Sequence, residues 1–204
     1  MALAGKTKKE VVGEFRSAEI LAAARKVFAA NGFGDATVDQ FAAAAGLAKG
    51  TIYLYFPSKK DIYLAALKEG LIELRGHTRR NMQAATGIRA RLRAFIATRL
   101  EYAEANRDFI QIYHAEFGNL SNPAASDNEF QQIYLQQAKE LKAVLKAAVE
   151  NGEIRPLRTD FAAFLIYDMV RGVMTRRLLN WSKAGIGDDI ELLDTLIWKG
   201  LASA

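Results

Sequence analysis

Thr37-Val38-Asp39-Gln40-Phe41-Ala42-Ala43-Ala44-Ala45-Gly46-Leu47-Ala48-Lys49-Gly50-Thr51-Ile52-Tyr53-Leu54-Tyr55-Phe56 reads as two short helices joined by a glycine-containing turn. Pro57-Ser58-Lys59-Lys60 follows at once, and can break the second helix and start a third. The Thr37 hydroxyl suits an N-cap and Gln40 three positions later completes a capping box, which starts the first helix at Val38. Val38, Phe41, Ala42 and Ala45 recur at helical spacing as a narrow apolar face. Gly46 can take the left-handed conformation that ends a helix, with Leu47 folding back on the preceding turn. The second helix starts near Ala48 or Lys49, and its Gly50, Thr51, Ile52, Tyr53 and Tyr55 are mediocre helix formers, so tertiary packing must hold it. This is a helix-turn-helix pattern, and it points to DNA.

On the second helix Ile52 and Phe56 share an inward face, leaving Lys49, Gly50, Thr51, Tyr53, Leu54 and Tyr55 outside. Two tyrosines, a leucine and a glycine exposed together suit a surface meant to be covered. Tyrosine hydroxyls and Lys49 fit phosphates, Thr51 fits a phosphate or a base edge, and Gly50 lets the backbone come close. A plain helical hairpin with surface tyrosines is the alternative.

The stretch resembles the DNA-binding domain of the TetR family of bacterial transcriptional regulators. The similarity begins at Ile20-Leu21-Ala22-Ala23-Ala24-Arg25-Lys26-Val27-Phe28-Ala29-Ala30-Asn31-Gly32-Phe33, continues through Thr37-Val38 and Ala45 to Phe56, and finishes with Ser58-Lys59-Lys60-Asp61-Ile62. It covers roughly the first third of the chain; beyond Leu67 only length and helical content agree. The resemblance implies that Thr37 and Lys59 touch phosphates at two helix starts, with Val38 beside them. By the same resemblance Tyr53 and Leu54 flank the backbone and groove, and Lys49, Gly50, Thr51 and Tyr55 lie nearest the bases. Two positions depart from the family pattern. Ala48 stands where a serine usually caps the recognition helix, so that cap and its phosphate contact should be missing, and Phe41 replaces an isoleucine.

Composition agrees with a small regulator. The chain has 204 residues, half of them hydrophobic, enough for one or two domains with a sizeable core. It has no cysteine, which excludes disulfides and thiol chemistry. No apolar run reaches the roughly 18 residues of a membrane span, so a cytoplasmic location without membrane partners is expected. The net charge of +5 favours a polyanionic partner. Lys6, Lys8, Lys9 and Arg16 lead the first helix, and residues 1–16 read either as a flexible basic arm for DNA or as a charged disordered terminus diluted by Glu10 and Glu14.

Ser58 and Asp61 give a second capping-box signature and launch a long amphipathic helix through Ile62, Tyr63, Ala66, Leu67, Leu71 and Leu74. Such a rod, starting beside the DNA element and ending beside the next domain, is a natural lever; Gly70 and Gly76 can either bend it or allow close packing. The remainder reads as helices. Ile88, Leu92, Phe95, Ile96 and Leu100 form one stripe and Phe109, Ile112, Tyr113 and Phe117 another. A loop follows over 118–123, then a long helix from Phe130 to Asn151-Gly152. Another runs from a Thr159 or Asp160 cap to about Trp181, and a last one from about Asp188 to Leu201. The expected fold is all-α with about nine helices: a helix-turn-helix DNA-binding domain over 1–62 and a helical ligand-binding and dimerisation domain over 63–204.

The penultimate helix is apolar on most of its circumference, so it must be buried on most of it. A two-fold dimer through a four-helix interface meets this need, using Phe161, Val170, Val173, Met174 and Leu178 with Leu193, Ile197 and Trp198. The alternative is a central core helix in a monomer; the family resemblance also implies a dimer. That resemblance further implies a pocket for a small inducer in the middle helices, where Tyr102, Phe109, Tyr113, His114, Phe117, Phe130, Tyr134, Phe164, Tyr167 and Asp168 would suit an apolar or amphipathic ligand. Ordinary core packing competes for each aromatic. Asp168 interrupts an apolar helix and needs a partner if buried, with Arg171 and Arg99 in reach.

Enzyme chemistry has little support. His77 and His114 are the only histidines and lie outside any metal-ligand spacing, and no glycine-rich phosphate loop follows a strand. No catalytic residue, metal or cofactor is therefore expected. The sequence reading is a dimeric repressor that binds a palindromic double-stranded operator and is released by a small effector. A regulator without a small ligand and an all-α carrier or enzyme with an incidental helix-turn-helix are the rivals.

Overall fold

In the computed structural model, residues 7–119 and 128–202 are described. Nine α-helices occupy them: α1 (Lys8–Asp35), α2 (Val38–Ala45), α3 (Lys49–Tyr55), α4 (Lys59–Ala84), α5 (Ile88–Ala105), α6 (Arg107–Asn119), α7 (Asn128–Glu150), α8 (Thr159–Leu178) and α9 (Ile186–Leu201). The all-α reading holds.

Local residues set most of the boundaries. Ser58 caps α4 by accepting from the Asp61 N–H, and its hydroxyl donates to the Asp61 carboxylate at 2.6 Å. Asn151-Gly152 ends α7, Gly152 at φ +71°. Gly32 at φ +73° breaks the helical path of α1 just before Phe33.

Several expectations require correction. Residues 8–16 are the first turns of α1, launched by a capping box between Thr7 and Glu10, so this part of the anticipated arm is helical; residues 1–6 lie outside the described set. Helix α8 starts from Arg158 with no side-chain cap, in place of Thr159 or Asp160, and stops at Leu178, short of Trp181. Helix α9 begins two residues early, where Gly185 donates its N–H to the Asp188 carboxylate at 3.0 Å. Of the loop expected over 118–123, Gly118 and Asn119 belong to α6 and the rest lies outside the described residues.

Helix α1 packs on α2, α4 and α6, and α4 lies along α5 and α6, so α4 joins the headpiece to the remaining helices without a linker. The boundary expected at 62/63 falls inside this continuous helix. At its centre Gly70 serves close packing: a Cβ there would lie 2.3 Å from a ring carbon of Phe109, which is fully buried. Tyr63 donates to Glu116 at 3.2 Å one level nearer the headpiece, and Arg25 of α1 lies 3.4 Å from Glu69 of α4. No described helix is long and apolar enough to cross a membrane.

Candidate nucleic-acid interface and ligand pocket

The helix-turn-helix forms as its residues dictate. Thr37 Oγ1 accepts from the Gln40 N–H at 3.3 Å, and Gln40 Oε1 accepts from the Thr37 N–H at 2.9 Å. Gly46 adopts φ +66°, ψ +34°, its N–H reaching Ala43 O while the Leu47 N–H reaches Ala42 O at 2.9 Å. These two bonds form a Schellman turn. Ala48 caps α3 through its backbone alone, with no side-chain bond. Ile52, at 0% exposure, and Phe56 anchor α3 in the core formed by Phe28, Phe41 and Ile20.

The outward face carries Tyr53 at 47% and Leu54 at 82% exposure, together with exposed Lys49 and Gly50. A Cβ on Gly50 would meet no atom of this chain, so its backbone is open to a partner. Lys49 bonds Asp39 of α2 at 2.8 Å, and that bond holds its ammonium above its ordinary pKa. Thr51, Tyr55 and Val38 are only half-buried, and Tyr55 and Val38 also pack on the core. Tyr55 was expected outside, so its ring serves the core as well as the surface.

Lys59, for which the resemblance implied a phosphate contact, is engaged within the chain. Its Nζ donates to the carbonyls of Phe33, Gly34 and Ala36 at 2.7, 2.9 and 2.9 Å and sits 4.7 Å from the centre of the Phe33 ring. All three ammonium donors close the broken end of α1, where Gly32 turns the chain away. Lys59 therefore ties the start of α4 to the headpiece. Nothing in its local sequence announced this; the partner carbonyls lie more than 20 residues away.

A cavity of about 390 Å³ opens between α4, α5, α7 and α8. Thr78, Met82, Phe95, Leu141, Val144 and Tyr167 line it, with the Arg75–Glu140 ion pair at its wall. Of the ten expected ligand residues only Tyr167 lines this cavity. The other aromatic residues and His114 pack against one another, and Asp168 is exposed. Tyr113 touches the rings of Phe109, His114, Phe117 and Phe130, while Tyr134 touches those of Phe117, Phe164 and Tyr167. Tyr102 packs on Phe109 and donates to Glu73 at 2.8 Å. Burial pushes the Tyr167 hydroxyl up to about 12. Burial, assisted by the Arg171 charge, depresses His114 to about 4.

Asp168 is exposed where burial was expected. It accepts from Arg171 at 2.9 Å and from Tyr134 at 3.4 Å, and the Arg171 guanidinium lies 3.7 Å above the Phe117 ring. Arg99 takes no part in this pair. It is buried elsewhere.

The expected dimer residues divide. Val170, Met174, Leu193 and Ile197 are buried within the protomer core and unavailable to a partner. Val173, Leu178 and Trp198 are half-buried, and Phe161 is exposed. The open apolar face consists instead of Phe161, Leu165 and Met169 on α8 with Leu196 on α9, which border a groove of about 340 Å³, and of exposed Leu192. Spacing alone could not choose between the two faces of a helix apolar on both.

A short helix presented by a Schellman turn, beside a long helix that reaches a cavity, gives this chain a helix-turn-helix architecture. Residues 20–66 match the family profile described as bacterial regulatory proteins of the tetR family, and residues 85–175 match that of a tetracyclin repressor-like C-terminal domain. The chain belongs to the TetR family of bacterial transcriptional regulators. It is 29% identical over 146 residues to the HTH-type transcriptional repressor KstR2 of Rhodococcus jostii (strain RHA1), covering 69% of this chain and 68% of that protein. It is 25% identical over 167 residues to the fatty acid metabolism regulator protein of Bacillus subtilis (strain 168), covering 81% and 84%. The crystal structure of the transcriptional regulator FadR from Bacillus subtilis in complex with stearoyl-CoA shares the fold, with a TM-score of 0.81 and 23% identity over 90% of this chain and 98% of that one.

Proposed function

We propose that this regulator is a dimeric, ligand-released repressor, with residues 1–62 as its DNA-binding domain and 63–204 as its effector-binding and dimerisation domain. The outward face of α3 carries the reading: Tyr53, Leu54, Lys49 and Gly50 are exposed while Ile52 and Phe56 hold the helix in place. Phosphates bind the tyrosine hydroxyl and Lys49, which exchanges Asp39 for DNA, and Gly50 admits the sugar–phosphate backbone. Thr37 keeps its hydroxyl in the cap, and Thr51 and Tyr55 reach the groove from the rim of the face. Two copies joined through the open α8–α9 face place two α3 helices in successive major grooves about 34–36 Å apart, on a palindromic operator.

The cavity takes a small apolar or amphipathic effector; its size lies within the ~300–1,000 Å³ of ordinary ligand pockets. The names of the relatives agree with such a ligand, one being a regulator of fatty acid metabolism and one a structure holding stearoyl-CoA. Arg75, Thr78 and Met82 line the cavity from the far half of α4, and Lys59 clamps its near end to α1. About 28 Å of helix separates Lys59 from Thr78, a stiff path from pocket to headpiece. An effector that favours one setting of α4 against α6 weakens operator binding by its differential affinity for the two states.

Selection of bound DNA from a random pool tests the reading, followed by gel shifts with Lys49→Ala plus Tyr53→Ala. An inverted repeat is expected, with the double variant binding it about 100-fold less tightly while remaining dimeric. Unchanged binding by the double variant rules out α3 as the reading helix.

A further inference from the structure

Behind the cavity wall lies a buried charge without a counter-charge among the described residues. Arg99 on α5 is 2% exposed, and among the described residues no carboxylate pairs with it. Its guanidinium lies 4.6 Å from the centre of Tyr167 and 5.4 Å from that of Phe95, two rings that touch edge to face and both line the cavity. Its charge partly opposes the rise that burial imposes on the Tyr113 hydroxyl. The carboxylate on the cavity wall, Glu140, is held by Arg75. Burying a guanidinium without a counter-charge is costly, and two aromatic faces offset only part of that cost.

Gln137 connects this charge to the cavity. Arg99 Nη1 donates to Gln137 Oε1 at 3.3 Å. Because a guanidinium only donates, this bond fixes which end of the amide faces Arg99 and turns Nε2 away from it. Gln137 is 3% exposed and lines the cavity, and its Nε2 has no hydrogen-bond partner. An N–H left unmatched beside a buried cation is a receptor for an acceptor oxygen, and a charged oxygen gains most, since Arg99 polarises the amide toward it. A hydroxyl can accept there too, but it brings no countercharge.

We propose that the cavity recognises an apolar molecule by a carboxylate, whose oxygen accepts from Gln137 Nε2 while Arg99 supplies the countercharge from behind. The hydrocarbon part then lies along Met82, Leu141 and Val144. This rests on the reading of the cavity as the effector site, and it adds that the acid group enters the protein.

Calorimetric titration of the full chain with decanoic acid, decanol and methyl decanoate at neutral pH tests it. Decanoic acid should bind at least about tenfold more tightly than the other two. Gln137→Glu should place a carboxylate against Arg99, raise the melting temperature of the free protein and abolish the preference for the acid while leaving decanol binding in place. Gln137→Met should also abolish the preference, without the rise in melting temperature. Equal binding of acid and alcohol, or an acid preference that survives Gln137→Glu, overturns the carboxylate receptor and leaves the cavity as an effector site. Failure of all three probes to bind overturns both.

Discussion

Tyr53, Leu54 and Tyr55 on α3, and Tyr113, Phe117 and Tyr134 on α6 and α7, are both aromatic-rich stretches on amphipathic helices. One lies against a single neighbouring layer and keeps Tyr53 and Leu54 in the open; the other is surrounded by α5, α7 and α8, and its rings pack on one another. Similar residue types thus serve opposite ends because of how many helices surround them. The anchoring pair Ile52 and Phe56 is complete without Tyr53 and Leu54, so their exposure is unforced by the fold and available to a partner. In the middle helices the aromatics are the core, and the cavity forms one layer away among Thr78, Phe95, Gln137 and Leu141.

Substitutions can break this comparison. The largest effect expected is for Tyr113→Ala, which should destabilise the protein by about 3–5 kcal/mol in denaturant titrations. Tyr53→Ala should stay within about 0.5 kcal/mol while weakening operator binding. Comparable stability losses for the two would erase the distinction. Gly70→Ala comes next: it adds helix propensity of about 0.5–1 kcal/mol but forces a Cβ into the Phe109 ring. A net loss of about 1–3 kcal/mol is expected, with an altered effector response if the α4–α6 contact transmits it.

Smaller changes sharpen the headpiece side. Ala48→Ser should supply the missing cap of α3 and stabilise it by about 1 kcal/mol, and Thr37→Ala should cost about the same on α2, both measured by thermal melts. Gly50→Ala should also raise stability slightly, since nothing crowds the position, and on the proposed reading it should reduce DNA affinity by filling space left for the DNA backbone. On the core side, His114 has a depressed pKa of about 4 against an ordinary 6.5. The unfolded chain therefore binds the extra proton first, and the stability contributed by neutral His114 is lost as pH falls from about 6.5 toward about 4. His114→Gln should flatten that part of the pH–stability curve.

The headpiece was legible because its signals are local. Thr37 with Gln40, Gly46 with Leu47 and Ser58 with Asp61 each act within one turn, and Ile52 with Phe56 needs only the helical period. The carbonyl bonds of Lys59 were not legible, because its partners after Gly32 are brought to it by the packing of α1 on α4. Helix existence in the second half followed from periodicity, whereas the choice of buried face on α8 did not, since Val170 and Met174 are as apolar as Leu165 and Met169. Arg99 looked like a partner for Asp168 because both are charged residues in apolar helices. Only the packing shows that Arg171 takes that place and Arg99 stands behind Gln137.

The central claim is that the open face of α3 grips the phosphates and grooves of an operator. The affinity of the wild-type protein for the DNA it selects should therefore be measured between ~50 and ~200 mM salt. A loss of about 10³-fold or more, reduced in slope by Lys49→Ala, is predicted. An affinity that stays flat across this range, or a slope untouched by Lys49→Ala, would contradict it.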